Sequence, residues 1–531
     1  MSKVKIKTLK HLENSVPEEI TGYSLSFYTI ALEAWRRGLK VKFINRVGKR
    51  NQSIRYQISS KDKSYEFSGS RNRDLAEEGR LIVMDKQKSK EYLLKANVPT
   101  PIGKAFYRDS SDNQIIEYAN KLGYPIVLKP ISGQGGEGVI ANIQSQDELA
   151  KAISYVRHTK KKYKVLVEKH FSGEDYRVMV VDKEVVAITK RYPANIIGDG
   201  ENTIQYLINQ KNALRKKHPM LSTSRIKVDD ELKEMLKKQS YSLHSIPEKD
   251  ALVVLKSKSN ISSGGDPVDI TDEVSYEIKK IAIDALKAIP GLPSAGIDLM
   301  VNEEDNTAVV IELNSQASIR SHLYPIYGEP RDVPRKLIDL YFPETKDKAR
   351  NDYLYFKFDI IRNNFKKGII KEFTLPTIPI NSIVNNKIII NGNLENKSFC
   401  RWIRKHACLL HVHGNVKQIT NSKIEVVVIA DKDKYKHFRD LILDNKVDNV
   451  VIKDYKEIKQ TEPIPSGFSI LKSNDIIKNR KEFKVPSKKF SKPKLENKQD
   501  TIQDKKITKK RKKSPLPIRV LRKILRQIKV R

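Results

Sequence analysis

A glycine-rich stretch at residues 126–139 constrains the fold of this chain more than any other. An apolar run ends at Lys129, glycines follow in quick succession, and a second apolar run then resumes. Such a turn can present backbone N–H groups and a lysine charge to phosphates. Gly133, Gly135 and Gly138 fit G-x-G-x-x-G, but that dinucleotide fingerprint requires a helix directly afterwards, whereas the following residues are β-rich. The stretch therefore predicts a hairpin that closes over a triphosphate, with an ordinary hairpin turn as the alternative.

Length and charge limit the class of protein. With 531 residues the chain is expected to hold three or four domains. A net charge of +37 favours anionic partners such as nucleotide phosphates, nucleic acid, anionic lipid or a wall polymer, although a lysine-rich proteome would also explain part of it. The two cysteines, Cys400 and Cys408, exclude a disulfide framework. No signal-peptide core or spanning apolar run is present, which favours a cytoplasmic protein.

Hydrophobic spacing predicts an α/β region over residues 1–85 and further α/β structure beyond it. A helix is expected at 24–37, closed by Gly38, and a strand at 40–44. Another helix should begin at Lys86 and end before Pro99, since proline cannot continue a helix. The other predicted elements are helices at 112–122, 147–158 and 272–289, strands at 163–167, 176–181 and 184–189, and a lysine-rich helical insert at 201–240.

A predicted hairpin carries the most informative pair of acids. Strands at 296–301 and 308–314 flank an acidic turn centred on Asp305, so Asp298 should lie opposite Glu312. Asn314 shares the face of Glu312 because strand side chains alternate. Two facing carboxylates repel, and a hard cation such as magnesium would relieve that repulsion. The alternative is a pair of solvent-facing acids at a strand edge.

These motifs occur in an order that resembles the ATP-grasp carboxylate–amine ligases, over roughly residues 20–345. Within that family the chain is most similar to the cyanophycin synthetase and bifunctional glutathione synthetase type. The further stretches that carry this second resemblance are 197–204, 259–265 and 321–325. The resemblance implies an ATP-grasp domain at about 86–345. It also implies ATP and Mg²⁺ or Mn²⁺ as the cofactors.

The resemblance also implies residue roles. The expected phosphate-binding residues are Lys86, Lys129, Ser132, Gly133, Gly135, Gly136 and Gly138. The adenine edge is expected at Glu168, Lys169 and Phe171, and the ribose at Asp175. The metal ligands are expected to be Asp298, Glu312 and Asn314. The groups that steady the transferred phosphoryl group or the substrate are expected to be Arg177, Arg191 and Arg320, with His322 as a further candidate; for Arg320 and His322 a structural role is equally open.

The chemistry that follows from the resemblance has two steps. A carboxylate attacks the γ-phosphate of ATP to give an acyl phosphate, and an amine then displaces phosphate to form an amide. An amino acid, peptide or envelope polymer is expected as substrate, and a homo-oligomer is open. The chain departs from both relatives, because it resembles neither the Mur-ligase-like domain of the cyanophycin enzymes nor the cysteine-ligating domain of the glutathione enzymes. Their substrates therefore do not transfer to this chain.

The C-terminal third predicts a different architecture. A polar linker is expected at 346–383, followed by a βαββαβ, ferredoxin-like domain at 384–456 that resembles acylphosphatase through 391–394 and 413–418. The phosphate-binding arginine of that family falls on Cys400 and its water-positioning asparagine on Gln418. Arg401 is a poor replacement, because a neighbouring helical residue points about 100° away. A degenerate binding or scaffolding module is favoured, and an active acylphosphatase is the alternative.

Residues 472–531 form a lysine-, serine- and proline-rich tail that is predicted to be disordered. At its end, Ile518, Leu521, Ile524, Leu525 and Ile528 recur at helical spacing among basic residues. This pattern predicts a basic amphipathic helix that could lie on an anionic membrane at the inner face. Nucleic-acid binding is disfavoured because no aromatic residues are interleaved, and a solvated tail is the plain alternative. The whole chain therefore predicts an α/β and α+β multidomain protein, with a nucleotide-bound membrane scaffold as the non-enzymatic alternative.

Overall fold

The computed structural model describes residues 2–5, 7–48, 52–74, 77–132, 137–395, 397–472 and 484–487. Its first region contains β1 (Ser2–Lys5), α1 (Ser24–Arg36), β2 (Lys40–Val47), β3 (Gln52–Ser59), β4 (Ser64–Ser68), β5 (Arg71–Asn72) and α2 (Glu77–Met84). The predicted helix and strand are confirmed. α1 is buried almost all round, including Leu25, Tyr28, Leu32 and Trp35, and Gly38 follows its end with a φ of +79°.

A four-stranded sheet and its helices form the next region. The elements are α3 (Lys86–Lys95), β6 (Gly103–Phe106), α4 (Asp112–Leu122), β7 (Ile126–Pro130), β8 (Ile140–Ile143), α5 (Gln146–Ile153) and β9 (Val165–Lys169), and a π-helical turn extends α5 to Thr159. The strand order is β6-β9-β7-β8. A capping box at Ser111 and Gln114 begins α4 at its predicted first residue. α4 and α5 cover one face of this sheet, so the other face is left for the charged side chains of β7 and β9.

A second, five-stranded sheet has the order β14-β11-β10-β15-β16. The elements of this region are β10 (Glu174–Val181), β11 (Glu184–Tyr192), β12 (Asn195–Ile197), α6 (Ile204–Lys217), α7 (Asp230–Lys238), β13 (Leu252–Val254), β14 (Asp266–Asp269), α8 (Tyr276–Lys287), β15 (Ser294–Asn302), β16 (Thr307–Asn314), α9 (Arg320–Leu323) and α10 (Val333–Tyr341). α8 packs on one face through a single apolar cluster. The predicted helical insert is the unit formed by β12, α6, α7 and β13, with its own small core.

Residues 346–383 do not form the predicted linker. They contain β17 (Leu354–Tyr355), α11 (Phe358–Lys366) and β18 (Glu372–Thr374), and β18 pairs with β2 of the first region. Phe356, Phe358 and Phe365 are buried in the same core as Tyr28 and Trp35. The prediction was wrong because lysines dominate the composition of this segment, whereas the few aromatic residues decide where it packs.

The C-terminal domain confirms the predicted βαββαβ order. Its elements are β19 (Ile383–Asn393), α12 (Lys397–Leu409), β20 (His413–Thr420), β21 (Lys423–Asp431), α13 (Lys432–Leu443), β22 (Val451–Lys459), β23 (Ile464–Pro465) and β24 (Phe468–Leu471). The sheet order is β22-β19-β21-β20-β24, so a fifth strand lies beyond the predicted end at residue 456. α12 and α13 cover one face, while Val427 and Ile429 on the other face join the core of the first region.

The predicted basic tail is covered only in small part. A short strand, β25 (Lys484–Ser487), pairs with β1, and the predicted terminal helix at 518–528 lies outside the described residues. Every helix in the part of the chain that the structure describes is too short or too polar to cross a bilayer.

Candidate active site

A single cleft of about 2040 Å³ lies between the two sheets and is also lined by the first region and the helical insert. The cleft brings together most of the predicted site residues. Those that line it are Lys86, Lys129, Ser132, Asp175, Arg177, Arg191, Asp298, Glu312, Asn314 and Arg320. Side chains separated by more than two hundred positions in the sequence therefore share one cavity.

One row of polar side chains crosses the cleft-facing side of the second sheet. Strand register places Asp269, Thr189, Arg177, Asp298 and Glu312 directly beside one another on five successive strands. Neighbours in such a row are about 5 Å apart, so their charges interact strongly. Arg177 is the one basic group of this row and lies between the neutral Thr189 and the acidic Asp298, so it offsets part of the negative charge that the three acids bring.

The predicted pairing of Asp298 with Glu312 is confirmed, but the route to it differs from the prediction. Near the turn the register pairs Leu299 with Val310, which corresponds to a turn centred between Glu304 and Asp305. A β-bulge then shifts the register by one residue, and Asp298 pairs with Glu312. Ile311 is the extra residue. Without this bulge, Asp298 would face Ile311 and the two acids would not meet.

Two arginines of the cleft, Arg177 and Arg191, neutralise Asp298. Arg177 Nε lies 2.8 Å and Arg191 Nη2 lies 3.0 Å from the same oxygen, Oδ1 of Asp298. Arg191 Nε also donates to Asp175 over 2.9 Å. Burial opposes the charge of Arg191, yet Asp298 and Asp175 outweigh it and raise the pKa of the guanidinium. Burial dominates at Asp175 and raises the pKa of its carboxyl group, although Arg191 opposes the shift.

The oxygen atoms at the end of the hairpin suit a hard divalent cation. Asp298 and Glu312 contribute carboxylates and Asn314 contributes a carboxamide on the same face. Lys86 Nζ lies 3.1 Å from Glu312 Oε1, and the arginines contact Asp298 Oδ1, so these pairs leave Oδ2 and Oε2 for another ligand. Across the described ranges no group of three His, Cys, Asp or Glu side chains could hold a metal, and here the third donor is an amide. The donor set fits Mg²⁺ or Mn²⁺.

A second charged group lies on the first sheet. Lys129 and Lys90 each place Nζ 2.5 Å from a different carboxylate oxygen of Glu168, and all three side chains are almost fully buried. Burial alone would raise the pKa of Glu168, but the two ammonium groups outweigh it and lower the pKa. Burial lowers the pKa of Lys90, although Glu168 opposes the shift. Sequence reasoning missed Lys90, yet its position four residues after Lys86 puts both on one face of α3.

The three residues predicted at the adenine edge, Glu168, Lys169 and Phe171, do not line the cleft. Lys169 lies on the opposite face of β9 from Glu168, and its ammonium group donates to the carbonyl oxygens of Gly123 and Tyr124 over 3.0 Å. Phe171 is partly buried and is absent from the residues that line the cleft. Because successive strand residues point to opposite faces, Glu168 lies on the face of Lys129 and Lys169 lies on the other face.

The glycine loop is described only at its two ends. Ser132 lines the cleft, and Gly138 has a φ of +74°, with Pro130 so close that a Cβ at Gly138 would lie 3.0 Å from its Cγ atom. Both the backbone conformation and the limited space therefore favour glycine at position 138. Gly133, Gly135 and Gly136 lie outside the described residues.

The corresponding site of the C-terminal domain is built from neutral side chains. Cys400 is buried, and burial raises the pKa of its thiol. Gln418 donates through Nε2 to the carbonyl oxygen of Leu394 over 3.0 Å, so its amide is used to hold the loop. Arg401 is exposed on α12. At the position where the family carries its phosphate-binding arginine, this domain therefore has the buried Cys400.

Family models match two parts of the chain. The model of the RimK-like ATP-grasp domain matches residues 83–201, which contain Lys86, Lys129 and Arg177. The chain contains a RimK-like ATP-grasp domain. The acylphosphatase model matches residues 386–470, which includes the fifth strand of the C-terminal sheet. The resemblances drawn from the motifs are thus confirmed for both regions.

Relatives of the ATP-grasp region include a cyanophycin synthetase and a glutathione biosynthesis protein. Cyanophycin synthetase of Trichormus variabilis is 33% identical over 273 residues, which cover 50% of this chain and 30% of that protein. The glutathione biosynthesis bifunctional protein GshAB of Clostridium perfringens is 29% identical over 343 residues, covering 61% of this chain and 42% of that protein. A bifunctional glutathione synthetase from Pasteurella multocida is structurally similar, with a TM-score of 0.43 and 26% identity, over 57% of this chain and 41% of that protein. The chain spans less than half the length of these relatives.

Just past the hairpin of the ATP-grasp region, Arg320 and His322 occupy different environments. The guanidinium of Arg320 stacks over the ring of Tyr23 at 4.0 Å and forms part of the cleft wall. His322 is fully buried, and its Nδ1 lies 2.8 Å from Thr189 Oγ1 in the charged row. Burial, with Arg177 and Arg191 nearby, lowers the pKa of His322 to about 3, so the ring is neutral. Of the two, only Arg320 is placed to contact a substrate in the cleft.

Proposed function

We propose that this protein is an ATP-dependent ligase that joins a carboxylate to an amine through an acyl phosphate. The observation that carries the proposal is the shared cleft, in which Lys86 and Lys129 lie with Asp298, Glu312 and Asn314. Two lysines supply positive charge for a polyphosphate, and the oxygen cluster supplies ligands for the accompanying cation. The relatives of this region, cyanophycin synthetase and a glutathione biosynthesis protein, support the same class of reaction.

ATP would lie with its phosphates between the two sheets. Lys129 reaches the cleft from the first sheet, and Lys86 reaches it from the start of α3, where its present partner is Glu312. Asp175 would bind the ribose, as proposed from the resemblance. A magnesium ion bound by Asp298, Glu312 and Asn314 would neutralise phosphate charge during transfer. Lys90 would act indirectly, because it holds Glu168 ionised and thereby positions Lys129.

The proposed reaction needs no covalent bond to the protein. In the first step a carboxylate oxygen of the substrate bonds to the γ-phosphorus of ATP, and the bond from that phosphorus to the bridging oxygen breaks, which releases ADP. In the second step the amine nitrogen bonds to the acyl carbon, phosphate leaves, and the amine proton passes to solvent. Arg177 and Arg191 would stabilise the charge that develops on the transferred group, and Arg320 would position the substrate. A small molecule or a peptide is the proposed substrate.

For the C-terminal domain we propose a binding or scaffolding role in place of hydrolysis. A phosphate-binding arginine is replaced by the buried Cys400, and the amide of Gln418 is bonded to Leu394. Without a fixed cation, an acyl phosphate would find little charge stabilisation there. The match to the acylphosphatase model supports the fold of this domain, whereas the side chains at positions 400 and 418 favour this role over hydrolysis.

Turnover tests the proposed reaction directly. The full chain should be incubated with Mg·ATP and a panel of amino acids and peptides, with phosphate release as the readout and product mass as confirmation. The proposal expects at least one pair of compounds to release phosphate together and to yield a product whose mass equals the sum of the two minus water. Phosphate release without any condensed product would contradict ligation.

A binding measurement tests the metal assignment separately. Mg·ATP should raise the melting temperature of the full chain, and Glu312→Ala should abolish the rise because it removes one of two carboxylate ligands. Glu304→Ala, on the exposed turn of the same hairpin, is the matched control and should keep the rise. An equal rise in all three proteins would remove Glu312 from the metal site.

A further inference from the structure

One end of the cleft carries two arginines whose charge is not met by an acid. Arg71 of β5 and Arg320 of α9 both line the cleft. Within the described ranges, no carboxylate lies within ion-pair distance of either guanidinium. Arg320 is only 7% exposed, so water cannot replace the missing partner efficiently. Arg71 was not among the residues singled out from the sequence.

The packing of a short turn explains why these two arginines share one end of the cleft. The turn between β4 and β5 packs on the loop that follows β16, and Ser70 Oγ donates to the carbonyl oxygen of Ala317 over 2.6 Å. Gly69 lies against the side chain of Gln316, and a Cβ there would approach Gln316 Nε2 to 3.0 Å. This close contact carries Arg71, the residue after Ser70, to the loop that leads from Asn314 into Arg320.

The acids of the charged row are already paired. Asp298 meets two arginines, Glu312 meets Lys86, and Asp269 meets Arg331 at 2.7 Å. By contrast, three donors at the arginine end are buried and meet no acceptor among the residues that the structure describes: Arg71 Nε, Ser318 Oγ and Arg320 Nη1. A buried donor without an acceptor is destabilising. Such a cost is tolerated where a ligand supplies the missing acceptor.

The surroundings of Arg71 add positive potential to this end of the cleft. Burial lowers the pKa of Arg71, and the nearby Arg73, Arg80 and Arg55 add to the lowering. Arg55 and Arg73 are paired with Glu66, and Arg80 with Glu77, so among these described arginines Arg71 is the member without a carboxylate partner. A cluster of like charges around an unpaired guanidinium attracts anions.

We propose that Arg71, together with Arg320 and Ser318, binds a second anionic group of the substrate, a carboxylate or a phosphate that does not itself react. The planar fork of a guanidinium fits either group with two hydrogen bonds. This inference rests on the proposed ligase function, since it assumes that the substrate enters this cleft beside ATP. It narrows the substrate class to acids with at least two anionic groups, and it makes Arg71 a specificity-determining residue.

Matched pairs of ligands test this inference. Binding to the full chain, held with Mg²⁺ and a non-hydrolysable ATP analogue at constant ionic strength, should be compared by titration calorimetry. The pairs are L-glutamate with L-glutamine, alanyl-glutamate with alanyl-glutamine, and O-phospho-L-serine with L-serine. At least one anionic member should bind about tenfold or more tightly than its neutral partner, and the pair that shows the difference identifies carboxylate or phosphate as the recognised group.

Variants assign the difference to Arg71. Arg71→Gln should remove the preference for the anionic member, and Arg71→Lys should restore part of it, because a lysine keeps the charge without the planar fork. Arg73→Gln removes the same charge two residues away at a side chain that pairs with Glu66, and it should keep the preference. Affinity for the nucleotide analogue should be the same in all four proteins. Equal binding within every pair, or an unchanged preference in Arg71→Gln, would overturn the inference. If the wild type does not bind the nucleotide analogue, the proposed function is overturned instead.

Discussion

The ATP-grasp cleft and the acylphosphatase-like site differ in how their polar groups are held. In the cleft, Arg177 and Arg191 lie 2.8 and 3.0 Å from Asp298, and Lys86 lies 3.1 Å from Glu312. In the C-terminal domain, the position expected to carry a cation holds a buried thiol. Charges that are kept near one another at the edge of a cavity are costly unless a ligand uses them. This difference supports the proposed chemistry in the ATP-grasp cleft and the proposed binding or scaffolding role of the C-terminal domain.

The ATP-grasp region and the C-terminal domain nevertheless share one apolar core. The largest expected change in stability comes from a substitution in this core. Phe356 belongs to this core, is 2% exposed, and has its ring centroid 4.6 Å from that of Tyr28 and 5.6 Å from that of Phe43. Phe356→Ala should lower the free energy of unfolding by about 3–5 kcal/mol, because it opens a cavity in a packed core. Urea unfolding measures this change.

The matched control lies in the same segment. Ile369 is 65% exposed, so Ile369→Ala should change the free energy of unfolding by less than about 0.5 kcal/mol. Equal small effects of the two substitutions would mean that residues 346–383 are a linker after all, and the comparison would then concern two independent domains.

A smaller effect is expected within the buried lysine pair. Lys90→Met leaves Glu168 with one cation, at a place where burial opposes its charge, and should cost about 1–3 kcal/mol of unfolding free energy. Lys88→Met, on the exposed side of α3, should be nearly neutral. Urea unfolding of both variants checks the prediction. If Lys90→Met left the free energy of unfolding unchanged, the ATP-grasp region, like the C-terminal site, would not depend on buried charge.

A pH effect should come from the C-terminal domain. Burial lowers the pKa of His413 to about 4, and its Nδ1 accepts a hydrogen bond from the backbone N–H of Gly467. The unfolded chain has a histidine pKa near 6.5 and takes up the proton first, so stability falls as pH drops from about 6.5 to about 4. At pH 5 the cost should be about 2 kcal/mol.

Comparison with variants isolates this pH effect from those of other groups. His413→Asn should remove the corresponding part of the difference between unfolding free energies at pH 7.5 and pH 5, whereas His411→Asn at an exposed position should leave it in place. An identical pH dependence in wild type and His413→Asn would contradict the assignment.

The smallest effect concerns the two cysteines. Cys400 is buried and Cys408 is exposed, so an aromatic disulfide reagent should modify Cys408 about tenfold or more faster. Cys400→Ala should leave ATP-dependent phosphate release within about twofold of wild type, because the thiol has no charge to contribute. A large loss of turnover in Cys400→Ala would place chemistry in the C-terminal domain and would break the comparison.

The sequence predicted helices and strands correctly where a single local pattern was strong, such as a helix cap or an alternation of apolar residues. The helix at 112–122 has its predicted bounds because Ser111 caps it, and the βαββαβ order followed from apolar alternation. The pairing of Asp298 with Glu312 was also predicted, although the bulge at Ile311 was not. A bulge depends on how a strand packs against its neighbours, so a count along the sequence cannot reveal it.

Other features required tertiary information. Lys169 follows Glu168 in a familiar motif, but only the faces of β9 show that its ammonium group turns away from the cleft. The contact between Ser70 and Ala317, which brings Arg71 to the cleft, joins residues 247 positions apart. Composition predicted a linker where three phenylalanines complete a core. Long-range packing decided each of these cases.

The most direct test compares the two lysines on opposite faces of the first sheet. Titration of Mg·ATP into the full chain should show that Lys129→Met weakens binding about tenfold or more, since a charged phosphate contact is lost. Lys169→Met should bind as tightly as wild type, because its ammonium group contacts the carbonyl oxygens of Gly123 and Tyr124 outside the cleft. Equal affinity in wild type and Lys129→Met, with melting temperatures showing both proteins folded, would contradict the placement of ATP in this cleft.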